Sequence, residues 1–249
     1  MVGAYSTFVN KGIWIEPIFI TRIEDKNGVV LEKFTPKTQE AMSEETANIM
    51  VRMLQGVVDG VYSPAADKTL GTGVRLKYKY GFKNHMGGKT GTSQNQSDGY
   101  FMGITPNLVT GVWSGCEDRA AHFRTIQYGQ GANMALPVFA EYMQRVYVDT
   151  ANTGIFPVDF DIPRYIDEKL AEIYTNYQNE LEQNHALDFD DLLILPIKLF
   201  HQNPKVLEYY RSKYKYILVD EYQDTNKPQF QFINLLSEIH RDICVVGDD

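Results

Sequence analysis

The spacing of hydrophobic and polar residues in the first part of the chain predicts alternating strands and helices. Apolar runs at 18–23 and 29–34 flank Lys26-Asn27-Gly28, and Asn-Gly between two such runs predicts a β-hairpin. Apolar residues between Ala47 and Val58 recur at helical spacing, with Ser43 as the predicted N-cap. The alternating positions of 74–80 predict a half-buried strand. Two more strands are predicted at 100–104 and 108–113, and a helix at 134–148 with Pro137 in its first turn.

The pattern changes in a stretch with two prolines and little periodicity at 154–163, so we place a domain boundary there. Beyond it, the spacing predicts helices at 165–183, at 188–200 with a kink at Pro196, at 206–214 and at 228–239. Two wholly apolar strands, 216–219 and 243–246, flank the last helix, which is typical of a buried parallel βαβ unit. The expected fold is therefore mixed α and β, with domains 1–163 and 164–249.

Charge and cysteine content narrow the function classes. The net charge is −8, and the part from Arg164 onward holds 9 basic and 16 acidic residues, which is not the charge of a nucleic-acid surface. No apolar run reaches the roughly 20 residues that span a bilayer, and the N-terminus does not resemble a secretory signal, so the chain as written is expected in the cytoplasm. Cys116 and Cys244 are expected to be small buried hydrophobic residues, and the spacing of the five histidines predicts no zinc site.

Residues 86–93, MGGKTGTS, admit two interpretations. Gly88-Lys89-Thr90 matches the end of a Walker A phosphate loop, but that pattern needs a glycine where this chain has Lys83. The loop must also open a helix, and residues 91–99 are mostly poor helix formers. The second interpretation is the Lys-Thr-Gly strand that borders the active site of serine transpeptidases and β-lactamases, which these residues favour.

Several blocks around this motif resemble the C-terminal part of a class A penicillin-binding protein. They are GAYSTFVNKG at 3–12, GGKTGTS at 87–93, DGYFMGITP at 98–106 and LVTGVW at 108–113. The resemblance covers about residues 1–163 and implies a partial α+β domain of the penicillin-binding and β-lactamase type, which in that family acts outside the cytoplasmic membrane. Its implied partner is a peptidoglycan stem peptide or a β-lactam, with no cofactor.

By that resemblance, Lys89, Thr90, Gly91 and Thr92 form the substrate-binding strand. Lys89 and Thr90 line the site, Thr92 binds the substrate carboxylate, and the Thr92 amide completes the oxyanion hole. Glycine at 91 lets a substrate approach the backbone.

The nucleophilic Ser-x-x-Lys of this family is missing from residues 1–163, because none of their serines has a lysine three positions later. Ser212 has Lys215 at that spacing, but it lies in the other part of the chain, and we interpret it as coincidence. An acyl-enzyme cannot form without the activated serine. The family's Ser-x-Asn motif is likewise expected upstream of Met1.

The second candidate site is an apolar strand that ends in Asp220-Glu221. In a Walker B arrangement the first acid holds Mg²⁺ and the second orients or deprotonates the attacking water. Such acids lie at the carboxyl ends of parallel strands, where open α/β sheets bind their ligands.

Three blocks in order resemble a UvrD-type superfamily 1 DNA helicase. They are ALDFDDLL at 186–193, YILVDEYQDTN at 216–226 and ICVVGD at 243–248, and the resemblance covers about residues 165–249. It implies a partial P-loop (RecA-like) α/β domain with ATP, Mg²⁺ and single-stranded DNA as ligands. It assigns Asp220 as the metal ligand, Glu221 as the catalytic carboxylate and Gln223 as the residue that couples nucleotide state to movement.

The helicase's phosphate loop is expected upstream and its second RecA-like domain downstream, and Asp249 falls inside a motif. We therefore expect a composite of a truncated DD-transpeptidase and a truncated ATP-dependent 3′–5′ helicase, inactive in both chemistries. The alternatives are a penicillin-binding module of cell-wall cross-linking and an ATP- and DNA-binding helicase module. Strand edges near 216–219 are expected to be exposed and to favour aggregation.

Overall fold

The computed structural model describes residues 1–63, 68–222 and 225–247. The chain forms two compact units. The first consists of residues 1–61 and 69–171, and the second of the remaining described residues, most of which follow Ala171. No helix in the described ranges has the length and apolar character needed to cross a bilayer.

Helices and strands alternate irregularly along the first unit and more regularly along the second. The helices are α1 (Val2–Val9), α2 (Glu44–Asp59), α3 (Arg75–Tyr78), α4 (Ile126–Gly129), α5 (Gly131–Val148), α6 (Thr150–Thr153), α7 (Tyr165–Gln183), α8 (Asp191–Gln202), α9 (Pro204–Lys213) and α10 (Lys227–Ser237). The strands are β1 (Ile13–Ile15), β2 (Arg22–Glu24), β3 (Val30–Lys33), β4 (Thr38–Glu40), β5 (Val61–Ser63), β6 (Lys68–Leu70), β7 (Gly87–Thr92), β8 (Asp98–Thr105), β9 (Leu108–Gly115), β10 (Ile217–Val219) and β11 (Ile243–Val245).

The core of the first unit lies between an antiparallel sheet, β7-β8-β9, and two helices. Helix α5 packs on β8, and α2 packs on β7. Phe101 of β8 and Phe139 of α5 are both buried, with ring centroids 4.9 Å apart. Gly103 permits this approach, because a Cβ there would lie 2.2 Å from the Phe139 ring. The sheet and helices thus confirm the mixed α and β class.

Two local predictions for this unit are confirmed. Strands β2 and β3 form the hairpin, although both are shorter than predicted, and Gly28 takes φ +82° in the turn. Ser43 caps α2, because its hydroxyl accepts a hydrogen bond from the Thr46 amide at 3.2 Å.

Two other local predictions are wrong. Residues 75–78 form a helical turn rather than a strand, because the Gly71–Gly73 turn leads directly into it, and the turn buries Leu76 while it exposes Tyr78. Helix α5 begins at Gly131, three residues earlier than predicted, so Pro137 lies in its second turn rather than its first.

The stretch between α6 and α7, residues 154–163, contains no regular element, as its prolines suggest. Phe160 and Ile162 nevertheless pack against the buried cluster of Val51, Leu54 and Ile104. The first turn of α7 belongs to the same unit, and Ile166 in it is 0% exposed. This unit therefore buries a residue that the sequence analysis places in the helicase-like part.

The elements predicted after residue 163 are present in the structure. Helices α8, α9 and α10 surround Phe200, Leu207 and Leu236, and α7 runs from Tyr165 to Gln183 as predicted. Strands β10 and β11 pair in parallel, and α10 connects them in sequence, which confirms the parallel βαβ arrangement. Helix α8 begins at Asp191 rather than Asp188, and the Asp188 carboxylate, in the turn before it, accepts a hydrogen bond from the Asp191 amide at 2.9 Å.

The prediction that β10 and β11 are buried is wrong. Only the side of β10 that carries Ile217 packs against the helices, whereas Leu218 is 71% exposed and β11 is exposed throughout. The expectation of buried cysteines is also wrong, because Cys116, directly after β9, and Cys244, on β11, are both exposed. Wholly apolar strands are typical of a complete parallel sheet, in which both faces are covered. In the described part of this chain, β11 and the Leu218 side of β10 have no such cover.

Candidate functional site

Strand β7 is held in place by its glycines. A Cβ on Gly87 would lie 2.8 Å from the Ile104 side chain, and one on Gly88 would lie 2.7 Å from the Phe101 ring, so only glycine lets the strand lie this close to β8. Strand β7 pairs along its whole length with β8, and no other described strand pairs with it. The predicted Lys-Thr-Gly residues therefore lie on an edge strand.

The side chains of this strand are bonded within the protein. The Lys89 ammonium donates to the Thr90 carbonyl at 2.7 Å, and the Thr90 hydroxyl donates to that of Thr72 at 2.9 Å. The Thr92 hydroxyl accepts from the amide of Gly131, the first residue of α5, at 3.0 Å. The strand thus brings Lys89, Thr90 and Thr92 together and exposes Lys89 and Thr92. No motif in the sequence predicts the hydrogen bond between Thr92 and Gly131, which lie 39 residues apart.

A buried carboxylate, which the sequence analysis missed, fixes the turn after β7. Asp98 accepts from the Trp113 indole at 2.9 Å and from the hydroxyls of Ser93 and Ser97 at 3.0 and 3.1 Å. These donors, the indole first and then Ser93, hold the pKa of the Asp98 carboxyl below its usual value. The only sequence signal was an aspartate within five residues of two serines, and this pattern is too common to indicate a site.

Asp220 and Glu221, the candidate Walker B acids, directly follow β10 at its carboxyl end. The Asp220 carboxylate accepts from the Glu221 amide at 3.0 Å, and both residues are exposed. Glu221 takes φ +52°, an uncommon conformation for a residue other than glycine. The Val246 amide donates to the Val219 carbonyl at 2.8 Å, which brings the end of β11 beside this turn. Gln223, the predicted coupling residue, lies outside the described residues.

These acids by themselves do not form a complete Mg²⁺-ATP site, because Mg²⁺ held by one or two carboxylates also takes oxygens from the phosphates. The described residues include no group of three or more histidine, cysteine, aspartate or glutamate side chains that could hold a metal ion. Nucleotide sites of this kind also need backbone amides that cradle the phosphates, and β7, the one segment with a partial Walker A sequence, is a strand rather than a loop before a helix.

Comparison with known proteins gives two families. Residues 1–144 match the penicillin-binding protein transpeptidase domain, and residues 76–249 match the UvrD/REP helicase N-terminal domain. Each match exceeds half of the chain. They overlap in residues 76–144, which contain β7, β8 and β9.

Individual relatives divide in the same way. ATP-dependent DNA helicase PcrA is 51% identical in Staphylococcus aureus and 49% identical in Bacillus subtilis, in each case over 84 residues, or 34% of this chain. The matched regions are 12% and 11% of those helicases, so the chain spans about one-eighth of their length. The crystal structure of penicillin-binding protein 1A from Haemophilus influenzae is 25% identical with a TM-score of 0.52, and the match covers 59% of this chain and 26% of that one. The chain is therefore a chimera that belongs both to the penicillin-binding protein transpeptidase domain family and to the UvrD/REP helicase N-terminal domain family.

Proposed function

We propose that this chain is a composite of a truncated DD-transpeptidase and a truncated ATP-dependent 3′–5′ DNA helicase, and that it catalyses neither reaction. The observation that carries the proposal is that the candidate substrate-binding strand is present, whereas residues 1–163 contain no Ser-x-x-Lys motif. Strand β7 is fully formed, yet no serine of residues 1–163 has a lysine three positions later.

The serines closest to the required pattern are engaged elsewhere. Ser93, next to the Lys-Thr-Gly strand, bonds to Asp98 at 3.0 Å in the turn after β7. Ser212, which has Lys215 at the right spacing, donates to the Tyr209 carbonyl at 2.8 Å on helix α9. A hydroxyl becomes a nucleophile only when a base can take its proton. The Tyr209 carbonyl cannot do this, and the Asp98 carboxylate is a weak base because its hydrogen bonds hold its pKa below the usual value.

What this half retains is a surface for recognition. We assign Lys89, Thr90, Gly91 and Thr92 to non-covalent binding of the carboxylate of a stem peptide or a β-lactam. The exposed Lys89 ammonium supplies the charge and the Thr92 hydroxyl a hydrogen bond. Both groups already have partners inside the protein, so a ligand must compete with those bonds, and we expect weak binding.

The helicase half retains Asp220 and Glu221, for which we keep the roles of metal ligand and catalytic carboxylate in the complete family domain. ATP, Mg²⁺ and single-stranded DNA are the partners of that complete domain. Among the residues that the structure describes, no phosphate-binding loop accompanies the two exposed acids, so we expect no hydrolysis.

Two assays test the proposal. Incubation with a fluorescent penicillin and denaturing electrophoresis should leave the chain unlabelled, while an intact penicillin-binding protein in the same gel is labelled. Phosphate release from ATP with Mg²⁺ and single-stranded DNA should equal that of the matched Glu221→Gln variant. A labelled band that excess unlabelled penicillin removes, or a phosphate rate that Glu221→Gln abolishes, contradicts the corresponding half of the proposal.

A further inference from the structure

One face of the β7-β8-β9 sheet is covered at one end and open at the other. Directly opposite residues of neighbouring strands have their side chains on the same face of a sheet. Toward the covered end, Ile104 is fully buried in a cluster with residues of α1 and α2. Toward the open end, the register places Gly91, Tyr100 and Trp113 in one row across the three strands. Tyr100 is half-buried, and Trp113 is 51% exposed.

Trp113 is held in a fixed position although half of it is exposed. Its indole N–H donates to the Asp98 carboxylate at 2.9 Å, and a Cβ on Gly115 would lie 3.2 Å from its ring. The Tyr100 ring extends toward β7, because its Cδ2 atom lies 3.7 Å from the place of a Cβ on Gly91. An aromatic group that is already ordered loses little conformational freedom when it binds an apolar partner.

This aromatic row lies on the same face of the sheet as Lys89. The register pairs Lys89 with Met102, one row closer to the covered end, and Lys89 is exposed. Neighbouring strands are about 4.8 Å apart and two residues along a strand span about 7 Å, so the backbones of Lys89 and Trp113 are about 12 Å apart. The charges also differ, because Lys89 attracts an anion while the Asp98 carboxylate bonded to Trp113 repels one. A ligand that fits both ends has a carboxylate at one end and an uncharged apolar group at the other.

We propose that Tyr100 and Trp113 bind the acyl end of a ligand whose carboxylate lies at Lys89, so that this face prefers N-acyl dipeptides with an aromatic acyl group. The inference rests on the proposed carboxylate binding by strand β7. Two extended residues span about 7 Å, so the acyl group of such a dipeptide covers the remaining distance to Trp113. Contact between aromatic rings should raise the affinity about three- to tenfold.

A comparison of two ligands on the unmodified full chain tests the preference. N-phenylacetyl-D-alanyl-D-alanine should bind about three to ten times more tightly than N-acetyl-D-alanyl-D-alanine in NMR titrations. Equal dissociation constants overturn this inference and leave the carboxylate binding of the proposed function intact. If neither dipeptide binds, both the inference and that carboxylate binding are wrong.

Substitution of the aromatic row shows where the acyl group lies. Trp113→Leu should make the two dissociation constants equal. The matched control is Tyr142→Leu, which should keep the difference, because Tyr142 is 44% exposed on α5 and α5 packs on the opposite face, against Phe101. A preference that persists in Trp113→Leu, or that Tyr142→Leu removes, overturns the inference.

A third measurement keeps Trp113 and its bond to Asp98. Trp14 is the other tryptophan of the chain, so Trp14→Phe leaves Trp113 as the one tryptophan whose fluorescence is observed. The phenylacetyl dipeptide should change the emission of this variant as it covers the exposed indole, and the acetyl dipeptide should change it much less. Emission that is the same with both dipeptides overturns the inference, even when both bind.

Discussion

Substitution of Ile166 tests whether helicase-like sequence contributes to the stability of the first unit. Ile166 lies in the first turn of α7, in sequence that resembles the helicase, yet it belongs to the first unit and is 0% exposed. Ile166→Ala removes buried methyl groups and leaves a cavity, which costs about 2–5 kcal/mol. That is a large part of the roughly 5–15 kcal/mol by which a domain is stable.

The neighbouring ion pair makes a much smaller contribution. The Arg52 guanidinium contacts the Asp167 carboxylate at 2.6 Å, but their side chains are 40% and 54% exposed. Pairs of this kind contribute about 0.2–1 kcal/mol, so Asp167→Asn should be several times milder than Ile166→Ala.

Tryptophan fluorescence during urea denaturation measures this unit alone. The chain has two tryptophans, Trp14 and Trp113, and both lie in the first unit. Ile173→Ala is the matched control, because Ile173 is on the same helix but 47% exposed. It should change the free energy of unfolding by about 0.5 kcal/mol or less. If Ile166→Ala shifts the tryptophan transition no more than Ile173→Ala does, the first turn of α7 is not part of this core and the reasoning fails.

Two other predictions use the same fluorescence assay. Gly103→Ala should destabilise the first unit by about 1–3 kcal/mol or more, because its Cβ would lie 2.2 Å from the Phe139 ring; an unchanged midpoint would contradict the packing. The lowered pKa of Asp98 means that its charge stabilises the fold above the ordinary value of 3.8 and that this contribution is lost as the pH falls below it. Asp98→Asn should therefore lower stability at neutral pH and flatten its decline below about pH 4, whereas an identical decline in both proteins would show that Asp98 is not responsible.

Local signals explain the elements that the sequence predicted well. The Asn-Gly turn and the Ser43 cap act within a few residues, so the β2–β3 hairpin and α2 form where the pattern places them. The strand of residues 74–80 was predicted from only four alternating positions, and the glycine turn before it gives a helical turn instead. An alternating pattern over so few residues is weak evidence for a strand, and the preceding turn decides the local structure.

The candidate sites were predictable only as far as their motifs extend. The Lys-Thr-Gly strand and the Asp220-Glu221 pair are contiguous in sequence and were located correctly on β7 and at the end of β10. The Gly131 amide that bonds Thr92, and the Trp113 indole that bonds Asp98, come from distant segments that only the fold brings near. Burial of β10 and β11 was mispredicted because a wholly apolar pattern is typical of a complete sheet. In the described part of the chain, β11 and the Leu218 side of β10 are exposed.

The central claim, that this chimera has the recognition strand of a transpeptidase but no nucleophile, is tested most directly by intact-mass spectrometry after prolonged exposure to a saturating β-lactam. We predict a single species with the mass of the unmodified chain. A species heavier by one β-lactam, with the adduct mapped by peptide fragmentation to a serine within residues 1–163, would contradict the account, because it would show that this chain activates a serine that neither its sequence nor its structure provides for.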